Sequence, residues 1–387
     1  MQDEDDESWR EEDRQNAEYH NEEGRQLMEK HAYEDAISAF KRALDHQPSY
    51  SSAHFNLAVA YAATGRRKEA IHHFAQAIEL KSEGFPEAHV NRAALLYMEG
   101  RHSEALEHCE KALEEKPSYA RAYYNLNTIY RAMGQQEKAI SLSWKQIMSL
   151  CDDVQPDMKF PNTRHEPGPL SVVCVKWGKK YDSEYVNKLF RGVSKYLCAV
   201  PFTFYCLTDN PNGLEPDIQT RQLMPGFSGW WNKAHLFAPH HRWHGQILYL
   251  DLDSVITGSL DDFAKYSGSF AILKTDGMQN ERRSQGVNSS IMMWNSSAAE
   301  DLEVIYTFLK ANYKAVNSCI YKFDHWLEML LPSDYHTLQD MELLQGQIVE
   351  YAASCQVECP SNARIVCFPL EPKPHNAPAP WVAEHWI

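Results

Sequence analysis

Small and apolar residues recur along the first 150 positions with helical spacing, and a longer period is superimposed on it. Ala36, Phe40 and Ala43 stand at i, i+4 and i+7, which places them on one face of a helix. The trio returns as Ala70, Phe74 and Ala77, then as Ala105, Cys109 and Ala112, and Ala139 opens a weaker fourth copy. Gly65, Gly100 and Gly134 fall at one phase of the same period, where a tight turn between two helices needs a residue that tolerates positive φ. Pro48 and Pro117 each precede a Ser-Tyr pair, and Pro86 opens a segment between them. The pattern predicts an all-α helical-repeat array over 15–153, built from four helix pairs at 17–50, 51–84, 86–119 and 120–153.

The periodicity then stops. Pro156, Pro161, Pro167 and Pro169 lie among polar neighbours, which predicts a linker over 154–169. Beyond it the texture changes to short β-branched runs at 170–175, 202–207, 246–250, 270–273 and 290–294. Helical patterns at 183–197 and 297–313 alternate with them. Strands alternating with helices predict an α/β domain over 170–387 with a mostly parallel sheet and ligands at the strand C-terminal ends.

The repeat resembles the tetratricopeptide repeat. Gly24, Ala36, Phe40, Ala43 and Pro48 fall at its signature positions in the first unit, Leu57, Tyr61, Ala70 and Ala77 in the second, and Leu126, Tyr130 and Ala139 in the fourth. The resemblance implies stacked helix pairs with a concave groove that binds a protein or peptide; the alternative is a spacer that binds nothing. Asn56, Asn91, Asn125, Arg92 and Arg121 are the groove residues expected to clamp an acidic or extended peptide.

Charge adds exclusions. The 387 residues carry a net charge of −15, which argues against a general affinity for nucleic acid phosphates. Residues 1–14 hold eight acids and two arginines, and they are expected to form a solvated, frayed acidic tail. No apolar run approaches the ~20 residues of a membrane span, and the start lacks the basic-then-apolar pattern of a secretory leader. The nine cysteines are scattered and odd in number, which reads as reduced thiols in a cytoplasmic protein.

The candidate chemistry begins where the apolar run at 246–250 stops, in Asp251-Leu252-Asp253. Residues i and i+2 of a strand face the same side, so both carboxylates can reach one hard divalent cation such as Mn²⁺ or Mg²⁺. At the ends of the first two strands, Lys176, Trp177 and Tyr181 offer a cation and rings for a nucleotide, and Asp209 offers an acceptor for base or ribose. Trp177 reads equally as a partly buried aromatic, and Trp230-Trp231 reads either as a sugar-stacking platform or as core. His235, His240, His241 and His244 have no metal-ligand spacing and read as a polar loop.

From residue 170 onward the chain resembles GT-A type glycosyltransferases, near the glycogenin-like groups. The resemblance rests on Tyr249-Leu250-Asp251-Leu252-Asp253 at the place of the metal-binding Asp-x-Asp motif, and on Gly286-Val287-Asn288-Ser289-Ser290-Ile291-Met292 beside the donor sugar. It continues in Phe323-Asp324-His325-Trp326, in 364–368 followed by Pro372-Lys373-Pro374, and in Trp230-Trp231-Asn232-Lys233. It implies transfer of a sugar from a nucleoside diphosphate donor, UDP-linked, to a hydroxyl. It also implies donor contacts from Lys233, Asn288, Ser289 and Lys373, and a base or charge stabiliser in Asp324, which otherwise reads as a helix N-cap. The family carries a metal-binding histidine after its last strand, where this chain has Pro369; His375 is the expected stand-in. That departure keeps a second reading open, a non-catalytic scaffold with a protein-binding repeat arm.

Overall fold

In the first unit every predicted helix pair is present: α1 (Gln2–Glu29), α2 (Tyr33–His46), α3 (Ser51–Ala63), α4 (Arg67–Leu80), α5 (Pro86–Met98), α6 (His102–Glu115), α7 (Ala120–Ala132) and α8 (Gln136–Leu150). The computed structural model describes residues 2–81, 83–151, 156, 169–276, 278, 286–331 and 335–387. Two compact units result, one of Met1–Ile147 with Asn317–Tyr321 and one of Met148–Val316 with Lys322–Ile387.

The repeated small residues let neighbouring helices approach closely. Ala36, Ala43, Ala70, Ala77, Ala105 and Ala112 are fully buried, as is Phe40, and Phe74 is nearly so. Gly24 is needed for a different reason, since a Cβ there would stand 2.4 Å from the Phe40 ring. Gly65, Gly100 and Gly134 sit in the inter-helix turns at φ 78°, 76° and 71°, where a side chain is strained.

Two expectations for this unit are corrected. The acidic start is the opening of helix α1 and not a frayed tail: glutamate, glutamine and arginine favour helices, acids suit a helix N-terminus, and pairs such as Arg14–Glu11 (2.7 Å) add to it. The groove asparagines are already engaged. Asn56 donates to Asn21 Oδ1 at 2.9 Å and Asn125 to the Val90 carbonyl at 3.0 Å, while Arg121 donates to Asn91 Oδ1 at 3.2 Å. These bonds tie one repeat to the next. Of the predicted linker, only Pro156 and Pro169 are among the described residues; Pro161 and Pro167 lie outside them.

The second unit is built on β1 (Leu170–Lys176), β2 (Phe202–Thr208), β3 (Gln219–Gln222), β4 (Gln246–Leu250), β5 (Ser254–Ile256), β6 (Phe270–Lys274), β7 (Val287–Asn295), β8 (His336–Thr337), β9 (Ile348–Glu350) and β10 (Ile365–Cys367). Helices α9 (Ser183–Tyr196), α10 (Ala299–Cys319), α11 (Phe323–Leu330) and α12 (Pro380–His385) complete it. Seven strands form one sheet in the order β3-β2-β1-β4-β7-β6-β8, and β5-β10-β9 form a second. In the large sheet β7 runs antiparallel to both β4 and β6, while the other neighbours are parallel. The sheet is therefore mixed, with the parallel half around β1.

Strands β1 and β4 are buried along their whole length, as expected of strands covered on both faces. From β1 the order runs outward to β2 and β3 on one side and to β4 on the other. Such a reversal opens a crevice at the C-terminal ends of the two central parallel strands.

Candidate functional site

That crevice holds a cavity of about 350 Å³. Trp177 and Tyr181 from beyond β1, Lys233 and Trp230, Asp251 and Asp253, Asn288 and Ser289, Asp324, and Pro369 with Lys373 all line it. Segments spread over 200 positions of sequence thus meet at one sheet edge.

The two central carboxylates do not reach it by strand alternation. Strand β4 ends at Leu250, and Asp251 begins a turn closed by the Ser254 amide donating to the Asp251 carbonyl at 3.1 Å. The Asp251 amide is held by the Ser290 carbonyl of β7 at 2.8 Å, and Leu252 between the two acids is buried in the core. The turn therefore has an apolar anchor and presents a carboxylate on each side of it.

Each carboxylate has its own ammonium. Lys233 Nζ lies 2.8 Å from Asp251 Oδ2, and it also donates to the Ser289 carbonyl at 3.2 Å and to Ser289 Oγ at 3.0 Å. Lys373 Nζ lies 2.8 Å from Asp253 Oδ2 and 2.6 Å from the Phe368 carbonyl. Both lysines are buried. Two tyrosines complete the set: Tyr249, two residues before Asp251 on the strand, donates to Asp251 Oδ1 at 2.5 Å, and Tyr181 donates to Asp253 Oδ2 at 2.9 Å. Burial pushes the Asp251 carboxyl up from its ordinary value; Lys233 opposes that push and the nearby Asp253 charge adds to it. The Tyr181 hydroxyl is raised as well, first by burial and then by Asp253.

On the far wall, α11 is fastened to the start of β7 by two carboxylates one helical turn apart. Asp324 accepts from the Ser289 amide and Glu328 from the Val287 amide, both at 2.9 Å. Residues i and i+4 of the helix thus meet residues i and i+2 of the strand. The bond fixes one oxygen of Asp324 at the cavity wall. Lys322 is its N-cap residue and carries no side-chain cap, so Asp324 is not the N-cap.

Three expected site residues stand elsewhere. Lys176 is buried as the last residue of β1 and does not line the cavity. Asp209 accepts from the Gly178 amide at 2.9 Å, so it steadies the turn after β1 instead of facing a base or ribose. His375 is paired through Nδ1 with the Tyr185 hydroxyl and lies outside the cavity lining. Among the described residues it does not converge with Asp251 and Asp253 on a metal site; the short helical turn Pro374–Asn376 carries it to α9. Sequence reasoning missed Lys180 and Lys322 in the lining and the fastening role of Glu328. Glu328 had a signal, its i+4 spacing from Asp324.

Of the four histidines expected in a polar loop, His240 and His244 are exposed, and the other two are placed differently. His235 and His241 are buried in 3₁₀ helices, tilted against the rings of Phe227, Tyr306 and Trp243.

Among the described residues, no group of three histidine, cysteine or acidic side chains converges as a metal cage. Both oxygens of Asp251 are engaged by Lys233 and Tyr249, so a divalent cation of the kind that takes one or two carboxylates and completes its shell with substrate phosphates would meet Asp253 first. Asp253 Oδ1 makes no hydrogen bond among the described residues, which leaves one oxygen open for it.

Sequence models of the tetratricopeptide repeat match residues 21–85, 86–119 and 108–141. Residues 21–141 are therefore tetratricopeptide repeats. No curated protein matches the chain. Similar solved structures include MamA, at 25% identity and TM-score 0.32, covering 33% of this chain and 73% of that one. A MamA from Desulfovibrio magneticus matches at 23% identity and TM-score 0.32, covering 34% and 73%. The second tetratricopeptide domain of human RPAP3, in complex with an HSP70 peptide, matches at 22% identity and TM-score 0.29, covering 31% and 97%. Among the described residues no helix is long and apolar enough to cross a membrane.

Proposed function

We propose that the second unit is a GT-A type glycosyltransferase that moves a sugar from a UDP-linked donor to a hydroxyl, while the tetratricopeptide array recruits a protein or peptide partner that includes the acceptor. The observation that carries this reading is the charge arrangement of the cavity: two buried ammoniums, two carboxylates on a fixed turn and a third carboxylate on the opposite wall.

Cleaving a nucleotide-sugar bond leaves a diphosphate on which negative charge accumulates. Lys233 and Lys373 are held before the reaction begins, so their positive ends need no reorganisation as that charge develops. Asp251 and Asp253 would hold a Mn²⁺ or Mg²⁺ ion, which would supply Lewis-acid stabilisation of the same leaving group. Ser289 and Asn288 contact the sugar side, and Trp177 and Tyr181 offer ring faces for the base. Asp324 would act at the anomeric carbon, as base or as stabiliser of the positive character that develops there. The acceptor oxygen bonds to that carbon as the bond to the diphosphate oxygen breaks. The leaving group keeps the electron pair, and the acceptor proton passes to Asp324 where that carboxylate is the base, or to the departing diphosphate where it is the stabiliser.

Because lysines already neutralise both central acids, the ion is expected to bind well only with the phosphates of the donor. Calorimetry tests this: UDP with Mn²⁺ should bind at least tenfold more tightly than UDP alone, and Mn²⁺ alone should give little heat. Equal UDP affinity with and without Mn²⁺ would remove the metal from the proposal. The scaffold reading is favoured by Pro369, which lines the cavity and cannot ligate a metal; absence of any nucleotide binding would support it.

A further inference from the structure

We propose that Trp230 is the acceptor platform of this cavity and that the acceptor presents a pyranose ring, so that the enzyme extends an existing sugar. This rests on the sugar-transfer reading above. Trp230 and Trp231 are neighbours with opposite fates. Trp231 is 4% exposed, edge-on to Tyr313 and Phe323, whereas Trp230 is 46% exposed and lines the cavity. Both belong to the 3₁₀ helix Gly229–Phe237, in which side chains at i and i+3 eclipse and each turn rises about 6 Å. Trp230 therefore stands over Lys233, one turn outward from the ammonium fixed on Asp251 and Ser289.

The cavity is thus charged at its base and aromatic at its rim. The base suits the diphosphate and Asp324 marks the transferred sugar, which leaves the rim for the group that brings the hydroxyl. An indole face attracts the C–H face of a pyranose and offers nothing specific to an extended backbone.

The test uses the full chain and measures UDP release with water alone, with methyl pyranosides of glucose, galactose, mannose and xylose, and with serine- or tyrosine-containing peptides. At least one pyranoside should accelerate release. Trp230→Ala should lower the ratio of acceptor-dependent to water-dependent release tenfold or more, and Trp230→Phe, which keeps a smaller ring, should lower it less. An unchanged ratio in Trp230→Ala would overturn the proposal, as would acceleration by peptides alone. No release from any donor by the unaltered protein would instead overturn the sugar-transfer reading on which it rests. Saturation-transfer NMR of the accelerating pyranoside provides a second readout, and its signal should fall in Trp230→Ala if the ring is the contact.

Discussion

Acid should destabilise the repeat array before it titrates ordinary carboxylates. Two histidine pairs bridge the helices of the second and third repeats at matching positions: His54 with His73 at 3.0 Å, and His89 with His108 at 2.7 Å. Burial pushes His73, His89 and His108 down to about 4, from an ordinary 6.5, and lowers His54 as well. His72 and Lys41 beside the first pair, and Arg92 and Lys111 beside the second, add positive charge that opposes protonation; the Pro48 carbonyl on His54, Glu115 at 3.5 Å from His89 and Glu107 favour it but are outweighed by burial. The folded state therefore binds fewer protons than the unfolded chain between these values. The stability contribution is complete above pH 6.5 and is lost as pH falls toward 4. One pKa unit corresponds to about 1.4 kcal/mol, so a pair that takes up one proton loses ~2 kcal/mol between pH 6.5 and 5. Two pairs lose ~4, a large part of the ~5–15 kcal/mol that holds a domain together. Urea unfolding at pH 7 and pH 5 tests this. Circular dichroism at 222 nm follows the repeat helices, and tryptophan fluorescence follows the second unit, which carries eight of the ten tryptophans. The helical transition should move to lower urea at pH 5, and replacing His89 and His108 together by glutamine should remove about half of the move. A helical transition that stays put between pH 7 and 5 would refute the reasoning.

Gly24→Ala should destabilise the first repeat by ~1–3 kcal/mol despite alanine's better helix propensity, because the new methyl meets the buried Phe40 ring; thermal melting checks it. Glu328→Leu should cost ~1–3 kcal/mol in the fluorescence-detected transition by leaving the buried Val287 amide without its acceptor, whereas Glu328→Gln keeps an acceptor and should cost less. Lys373→Met should reduce UDP release by ~10²–10³, the usual effect of removing one pre-positioned charge donor, with a smaller effect on donor KM.

Much of the architecture was legible because burial imposes a readable pattern. The alanine trios had to be small for helices to pack, and β1 and β4 had to be continuously apolar because they are covered on both faces. Strand β3, Gln219–Gln222, was not legible: it is a polar edge strand, with no buried face to mark it. At the site, Asp251 and Asp253 announced themselves by ending an apolar run, yet the turn that carries them was read as strand. His375 shows where one-dimensional spacing fails. Its partner, Tyr185, lies 190 positions away, and only the fold shows that this pairing takes it from the cavity. Asn56 and Asn125 fail for a related reason, since regular spacing marks a bond between repeats as readily as a ligand contact.

The central claim is that the cavity at the end of β1 and β4 cleaves a nucleotide sugar. Its most direct test is UDP release from a panel of UDP- and GDP-sugars with Mn²⁺, comparing the protein with Asp251→Asn/Asp253→Asn. Slow release from one UDP-sugar, lost in the double variant while the melting temperature of the repeats is kept, is the predicted result. Release from no donor, or release that persists in the double variant, would contradict it.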